Sequence, residues 1–537
     1  MFKMSCGCSF NILNETPLKL EFIPDVNILN LECRATWDLF KSGNTQGVFQ
    51  LESPSAQNLT KKLAPSNIEE LCALNALLRP GPMEGMIEGK SLTNHYIDRK
   101  HNLEQVTYLH PALEPILKYT YGILVYQEQA TSIVMALAGF DLREADSLRR
   151  ATGKKKPEEM DAVEKLFVEK ASSYGILNID EAKEIWGWIR SSQRYSFNKS
   201  HSLSYAMNGY LSAYAKAHFP RAFFKEYLAM AHDKIKPKEE ICALVNNAKN
   251  MNIPILPPDI RINNDSFVLK DKTIYFGLTN ISGIGENVAK KIIQNIATLT
   301  PDINTLSWSE ILFHILYTTN STAARNMLSC GCFDYLHISR NQMLFEYDVI
   351  MQLSEREIKY CHTNIDLKMC IKNILEALLQ CGAGKNAGIS NKNRVAHIKS
   401  LIINLNNPSY SLKDSPQWIA GVEQSLLGAS LTYHQIDGCD TSATTATCKE
   451  VLDGKSGLNL VGVQIESVNE IVTKRGKTPG QKMAFIIASD GTGILNNIIA
   501  FPNVWNEVKN IVLPGNTVLI EGKVGKGSFI VNKVFQA

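Results

Sequence analysis

Hydrophobic and polar positions change rhythm several times along the chain. The first 35 residues mix short apolar runs with Asn and Pro, as in Leu18-Lys19-Leu20-Glu21-Phe22-Ile23-Pro24, and hold no sustained period, which predicts a lead-in. From Thr36 to about His232 the pattern is mainly helical, broken at Arg79-Pro80-Gly81-Pro82 and at Gly153-Lys154-Lys155-Lys156-Pro157. Within it, Tyr205 to Met230 predicts long helices split at His218-Phe219-Pro220, with Met207, Leu211, Tyr214 and His218 as the core-facing stripe. A small mixed unit begins near Ile235 and includes Ile255 to Ile260, the alternating Ile274 to Leu278, a Gly-rich turn and a helix. Residues 381–416, rich in Gly, Asn, Ser and Lys, predict a linker or mobile insertion. After Leu458 the period drops to two. Five short strands at Val461–Val468, Met483–Ser489, Ile494–Phe501, Thr517–Gly522 and Phe529–Val531, with one helix at Val504–Val512, predict a small barrel.

Length and composition fit this picture. At roughly 100–200 residues per domain, 537 residues hold about three to five domains. With 45% hydrophobic, 20% charged and 8% aromatic residues the chain is globular, which excludes disordered, collagen-like and coiled-coil classes. The net charge of +3 neither demands nor forbids a nucleic-acid partner, so local charge decides. No run of about 18 apolar residues occurs, and Met1 to Cys6 lacks a signal-peptide stretch, so the expectation is a cytoplasmic protein without a membrane partner. Twelve Cys without a repeated spacing predict reduced thiols; Cys6/Cys8 and Cys330/Cys332 each offer half a zinc site without a second pair, and no metal ligand is assigned.

Three stretches carry phosphate chemistry. Between Asp141 and Lys156, six basic residues, among them Arg149, Arg150, Lys154, Lys155 and Lys156, outnumber three acids, and guanidinium forks beside ammonium groups suit a polyphosphate or a nucleic-acid backbone. A solvated basic loop is the plain alternative. Asn198, Lys199, Ser200 and His201 sit just ahead of a helix, where free N–H groups favour an anion and where Asn or Ser also serves as an ordinary cap. Ser200 beside His201 has no Gly-x-Ser-x-Gly elbow and no orienting acid, so no catalytic residue is assigned. Gly283-Ile284-Gly285, followed by Lys290 and Lys291, is a hairpin that lets a phosphate approach backbone N–H groups, although a helix-joining turn has the same letters.

A family resemblance rests on Gly47 to Ser53 (Gly-Val-Phe-Gln-Leu-Glu-Ser), Arg79-Pro80-Gly81-Pro82, Tyr96-Ile97-Asp98-Arg99-Lys100-His101, the run Thr120 to Gln129, the run Ala145 to Met160, and Phe197 to Ser202. Together these resemble the fingers of the alpha subunit of bacterial DNA polymerase III, the C-family replicative polymerase. The likeness continues through Ile255 to Asp259, the Gly-Ile-Gly hairpin, Leu426 to Thr432 and Val472 to Gly476, and so covers nearly the whole chain after about Asn30. It implies a multidomain α+β protein: a connector following the palm (1–35), mainly α-helical fingers (36–234), a small mixed helix-hairpin-helix duplex-binding region (235–345), a helical connector with a mobile insertion (346–457) and a C-terminal five-stranded OB-type β-barrel (458–537). In that scheme Arg149, Arg150, Lys199 and His201 meet the incoming dNTP, with Arg79, Gln127, Asn198 and Ser200 behind them. Lys154, Lys155, Lys156, Gly283, Ile284, Gly285, Lys290, Lys291, Lys474 and Arg475 contact DNA, while Phe485, Phe501 and Phe529 of the barrel serve as core as readily as stacking platforms.

The departures from the family shape the functional expectation. The family's palm holds two Mg²⁺ ions on an Asp-x-Asp pair and a third Asp, because both cations bridge the reacting oxygens during in-line transfer. No two Asp stand two positions apart in this sequence, and Glu21 lies in the connector. The resemblance therefore implies a split polymerase, a DNA-directed nucleotidyltransferase inactive alone, with Mg²⁺ ligands on a palm-bearing partner chain and with primer-template DNA, dNTP and a sliding clamp as further partners. No Gln-led clamp-binding peptide is recognisable in 381–416, and Gln342-Met343-Leu344-Phe345 predicts helix packing. The alternative is a non-catalytic DNA-binding or replisome-assembly factor derived from the polymerase; a neighbouring reading frame encoding the palm would favour the split enzyme.

Overall fold

The computed structural model describes residues 30–537 except 85, 88, 155, 156, 193–195, 263, 300, 301, 385, 386, 474–478 and 526, with the backbone alone at 80, 84, 86, 87, 149, 152–154, 157 and 299. The chain divides at Pro220 and Arg221 into two compact units.

The first unit is helical and carries two cores. Helix Ile68–Leu77 buries Leu71, Cys72, Ala73, Leu74, Ala76 and Leu77, so it is apolar almost all round and forms the centre of the first core. Asn67 starts it by accepting from the Glu70 N–H at 3.0 Å. The twenty-residue helix Lys199–His218 lies against it. Its buried face is Ala206, Gly209, Tyr210 and Ala213, whereas the expected stripe is buried only at Leu211, with Met207 and Tyr214 half-buried and His218 exposed. Small residues win this face because the helix is approached closely: a Cβ on Gly209 would stand 3.4 Å from the Phe49 carbonyl oxygen. The predicted split of this region does occur, between His218 and Pro220. The second core gathers helices Gln127–Ala138, Leu142–Lys154, Pro157–Tyr174 and Ile179–Ser192 around Phe140, Phe167 and Trp186. Segment 123–126 runs between the cores with period two, giving Ile123 and Val125 to the first and Leu124 to the second.

The second unit begins with helices and a three-stranded sheet, in which Thr273–Tyr275 pairs antiparallel with Val268–Lys270 and parallel with Ile255–Leu256. The 381–416 stretch, expected as a linker or mobile insertion, contains the fifteen-residue helix Lys392–Asn406. Asn391 caps it, Ile398 and Leu401 are buried, and Arg394 Nε bonds Glu357 at 2.9 Å; Val395, Ile398, Leu401, Ile402 and Leu405 recur at helical spacing, and the Gly-, Asn- and Ser-rich flanks conceal that pattern. Met343 is fully buried within helix Arg340–Ile350, and Phe345 packs edge-on against Tyr410, as expected of a packing segment.

Strands Leu458–Val472, Lys482–Ser489, Ile494–Ala500, Thr517–Gly525 and Ser528–Gln536 close into a barrel in the order 1-2-3-5-4, with only the third and fifth strands parallel. Inward residues alternate along each strand, among them Val461, Val463 and Ile465, and helix Pro502–Val508 adds Trp505 and Val508 to the core. The fold is thus multidomain α+β with an OB-type barrel.

Candidate nucleotide and nucleic-acid interfaces

The polar cluster at 197–201 is positioned by strand-like pairing across the seam of the first unit. Gln127 N–H donates to the Phe197 carbonyl at 2.9 Å and Phe197 N–H to the Val125 carbonyl at 3.0 Å, a parallel bridge. Helix Lys199–His218 starts immediately beyond it. Asn198 is the N-cap, its Oδ1 accepting from the His201 N–H at 2.8 Å and from Ser200 Oγ at 2.7 Å. The capping reading of these residues is therefore realised, and it coexists with exposed donors. Lys199 Nζ stands 3.1 Å from Glu69 Oε2 and 5.7 Å from the centroid of the Tyr126 ring. The His201 ring lies against Tyr205 and Phe197, and the Arg79 guanidinium stacks on Phe197 at 3.7 Å. Arg79, Gln127, Asn198, Lys199, Ser200 and His201 are thus brought to one place.

Two acids at this site carried no sequence signal of their own. Glu128 accepts from Asn198 Nδ2 at 2.8 Å and from the Lys199 N–H at 2.9 Å, and Glu69 holds the Lys199 ammonium. Glu128 adjoins Gln127 in the quoted motif, which is the only hint the sequence offers. Its neighbour Gln129 is structural: Oε1 accepts from the Val125 and Tyr126 N–H groups at 3.0 Å, and Nε2 donates to Thr120. The charged motif 96–101 is also a brace. Lys100 Nζ bonds Glu70 and the Leu63 and Ala64 carbonyls out of solvent. Burial alone would raise the Glu70 carboxyl, yet Lys100 and Tyr121 hold it below the ordinary carboxylate value.

Arg149 and Arg150 lie on a helix of the second core. Helix Leu142–Lys154 joins the second core through Ala145, Leu148 and Ala151, and Arg150 pairs with Asp146 at 3.0 Å on an exposed face. Lys155, Lys156, Lys474 and Arg475 lie outside the described residues, as do the side chains of Arg149 and Lys154. Lys482 of the barrel is paired with Glu470 at 2.6 Å. Phe529 is core, Phe485 is half-buried and Phe501 is exposed.

The glycine hairpin of the second unit is built for close approach. Gly283 takes φ +87°, a left-handed conformation, and an added Cβ would stand 3.1 Å from Asn326 Nδ2. Asn326 Nδ2 also donates to the Ser282 carbonyl, and Ser282 N–H to the Leu426 carbonyl, so the turn is anchored from both sides. Ile284 is buried, whereas a Cβ on Gly285 would meet open space. Helix Glu286–Leu299 follows, with Ala289 buried and Lys290 and Lys291 exposed one turn on. Ahead of the hairpin stands a single 3-10 turn, Leu278–Asn280. A cavity of about 890 Å³ opens beside it, and its wall includes His232, Lys236 and Lys238, three groups the sequence reading did not single out.

The Cys330-Gly331-Cys332 pair has a packing explanation. Both thiols are fully buried, and burial pushes the Cys332 thiol well above its ordinary value, away from the thiolate a metal needs. Gly331 takes φ +94°, and a Cβ there would strike the Arg340 guanidinium. Cys6 and Cys8 lie outside the described residues. Among the described residues no three His, Cys, Asp or Glu side chains gather as a metal site, so they do not fit the two-Mg²⁺ carboxylate set implied by the resemblance. No described helix is long and apolar enough to cross a membrane.

Comparison with known proteins agrees with these features. Residues 16–175 match the bacterial DNA polymerase III alpha subunit finger domain, and residues 252–343 match a helix-hairpin-helix motif. The chain is 30% identical over 530 residues to DNA polymerase III subunit alpha of Aquifex aeolicus, which covers 95% of this chain and 40% of that protein. It is 28% identical over 522 residues to the Staphylococcus epidermidis protein of the same name, covering 95% and 43%. The Pseudomonas aeruginosa protein is 29% identical over 523 residues, covering 96% and 42%. The chain spans about two fifths of the length of these curated relatives. On these matches the chain corresponds to the fingers-containing, C-terminal-half region of DNA polymerase III alpha subunits.

Proposed function

We propose that this chain is the nucleotide- and DNA-holding part of a replicative DNA-directed DNA polymerase, and that a separate palm-bearing chain supplies the carboxylates for Mg²⁺. The observation that carries the reading is the convergence of Arg79, Gln127, Asn198, Lys199 and His201 at the start of one helix in the unit containing the finger-domain match. Guanidinium, ammonium and imidazole groups around N–H donors orient a triphosphate and offset its charge as a primer 3′-hydroxyl attacks and pyrophosphate leaves. In this reading residues 36–234 act as fingers, 235–345 hold the duplex through the Gly283 to Gly285 hairpin, 346–457 connect, and 458–537 form a single-strand-binding barrel. Arg149 and Arg150 meet the incoming dNTP, and Lys154, Lys155 and Lys156 contact DNA. Lys474 and Arg475 serve the barrel's cationic groove, and a sliding clamp tethers the assembly.

Primer extension tests it. The purified chain with dNTPs and Mg²⁺ is expected not to extend a primer, addition of a chain carrying the palm aspartates to restore extension, and mutation of those aspartates to abolish it. Robust synthesis by the 537-residue chain alone would place the active site within it. DNA binding with no extension in the presence of an authentic palm chain would favour a non-catalytic DNA-binding or replisome-assembly factor instead.

A further inference from the structure

Glu128 occupies an unusual place. It sits in the first turn of helix Gln127–Ala138, and its two oxygens reach the start of a second helix, Lys199–His218, where they accept from the Lys199 N–H and from Asn198 Nδ2. A single carboxylate thus faces the positive ends of two helices. It takes up donors of the kind a phosphate oxygen uses at a helix start. Glu69 does the same for the nearby ammonium of Lys199, at 3.1 Å with both side chains about two-fifths exposed. Glu128 is half-buried, so both acids have a route to solvent.

We propose that Glu128 and Glu69 are internal placeholders that set the charge selectivity of the nucleotide site. This rests on the reading of the 197–201 cluster as that site. An arriving anion must displace like charges that are already well bonded. A singly or doubly charged group exchanges one set of hydrogen bonds for an equivalent set and gains little. A polyphosphate chain gains more, because one molecule takes the Lys199 N–H and Nζ together and extends to His201 and Arg79, while the released carboxylates return to water. Glu128 and Glu69 thereby disfavour orthophosphate and monophosphates relative to triphosphates without touching the bound ligand.

The test uses the full chain with inorganic tripolyphosphate and, separately, orthophosphate in metal-free buffer, read by calorimetry. Glu128→Gln is expected to bind both anions at least threefold more tightly than the unaltered chain, with a smaller ratio between them, and Lys199→Ala to lose tripolyphosphate affinity at least tenfold. A merely structural role for Glu128 would weaken binding or leave it alone. Glu69→Gln, which alters a half-exposed ion pair, is expected to show the same threefold gain and serves if Glu128→Gln does not fold. Wild-type or weaker affinity in the glutamine variants, together with loss in Lys199→Ala, would overturn the placeholder role and leave the nucleotide site standing. Unchanged binding in Lys199→Ala and His201→Ala would overturn the site itself.

Discussion

Lys199 and His201 differ in their partners from the buried cations of the 96–101 motif. Lys100 is spent on Glu70 and two carbonyls, and Arg99 on Glu104 and the Tyr121 carbonyl, whereas Lys199 rests on a half-exposed acid and His201 on aromatic rings. Replacing either by Ala in the assembled enzyme is expected to raise the dNTP requirement about tenfold to a hundredfold, the equivalent of one charge-assisted hydrogen bond of about 1.5–3 kcal/mol. DNA affinity should stay nearly constant, and steady-state kinetics beside a DNA-binding titration checks both. Glu104 makes a different kind of prediction. Burial alone would raise its carboxyl, but Arg99, His95 and Lys90 bond it and hold it down to about 2 against an ordinary 4.5. The folded unit keeps this group ionised where the unfolded chain takes up a proton. Its contribution to stability is therefore whole above pH 4.5 and fades as the pH falls towards 2. Urea unfolding across that window should show a shallower acid decline for Glu104→Gln than for the unaltered chain.

The Gly283 hairpin presents an open face at Gly285 with two exposed lysines one turn beyond, and in the proposed role it grips a phosphate backbone without reading bases. Lys290 pairs with Glu286 at 3.5 Å on a well-exposed surface, a pair that contributes little to stability. Lys290→Ala with Lys291→Ala in the full chain should flatten the dependence of duplex affinity on salt by about 0.9 logarithmic units per lost phosphate contact, with no change in sequence preference. Salt-independent duplex binding by the unaltered chain would return the hairpin to packing. These elements were legible because their signals are local: glycines at a turn, period two in the barrel strands, and a Pro after His218. Two features were not. The Lys392–Asn406 helix carries Val395, Ile398, Leu401, Ile402 and Leu405 at helical spacing but lies between stretches rich in Gly, Asn and Ser that mask it, and the core face of Lys199–His218 is set by how near Phe49 and helix Ile68–Leu77 come, a tertiary fact. Likewise, Asn198 and Lys199 could be read as an anion site from their letters. That Glu128, seventy residues earlier, already fills it could not.

On the scale of the whole molecule, the second unit depends on a buried charge that ties distant stretches of sequence together. Arg340, 1% exposed, bonds Asp334, Glu423, the Ser329 carbonyl and Thr432, and Glu423 in turn accepts from the Leu431 and Thr432 N–H groups. Removing the guanidinium leaves the fully buried Glu423 carboxylate without its cation, so Arg340→Ala is expected to cost about 3–5 kcal/mol in the unfolding of this unit, measured by denaturant titration. Arg340→Lys should recover only part of it, because an ammonium cannot reproduce the guanidinium fork. The barrel shows how far apart in the chain such dependence extends. Its first strand, Leu458–Val472, pairs with the second and fourth, and closure waits for the fifth, Ser528–Gln536, to pair with both the third and fourth. During synthesis at about 5–20 residues per second, the third strand therefore spends seconds on the ribosome as an open, apolar edge after it has emerged. The barrel is the part of this protein whose yield should depend most on the pace of translation and on chaperones that cover strand edges.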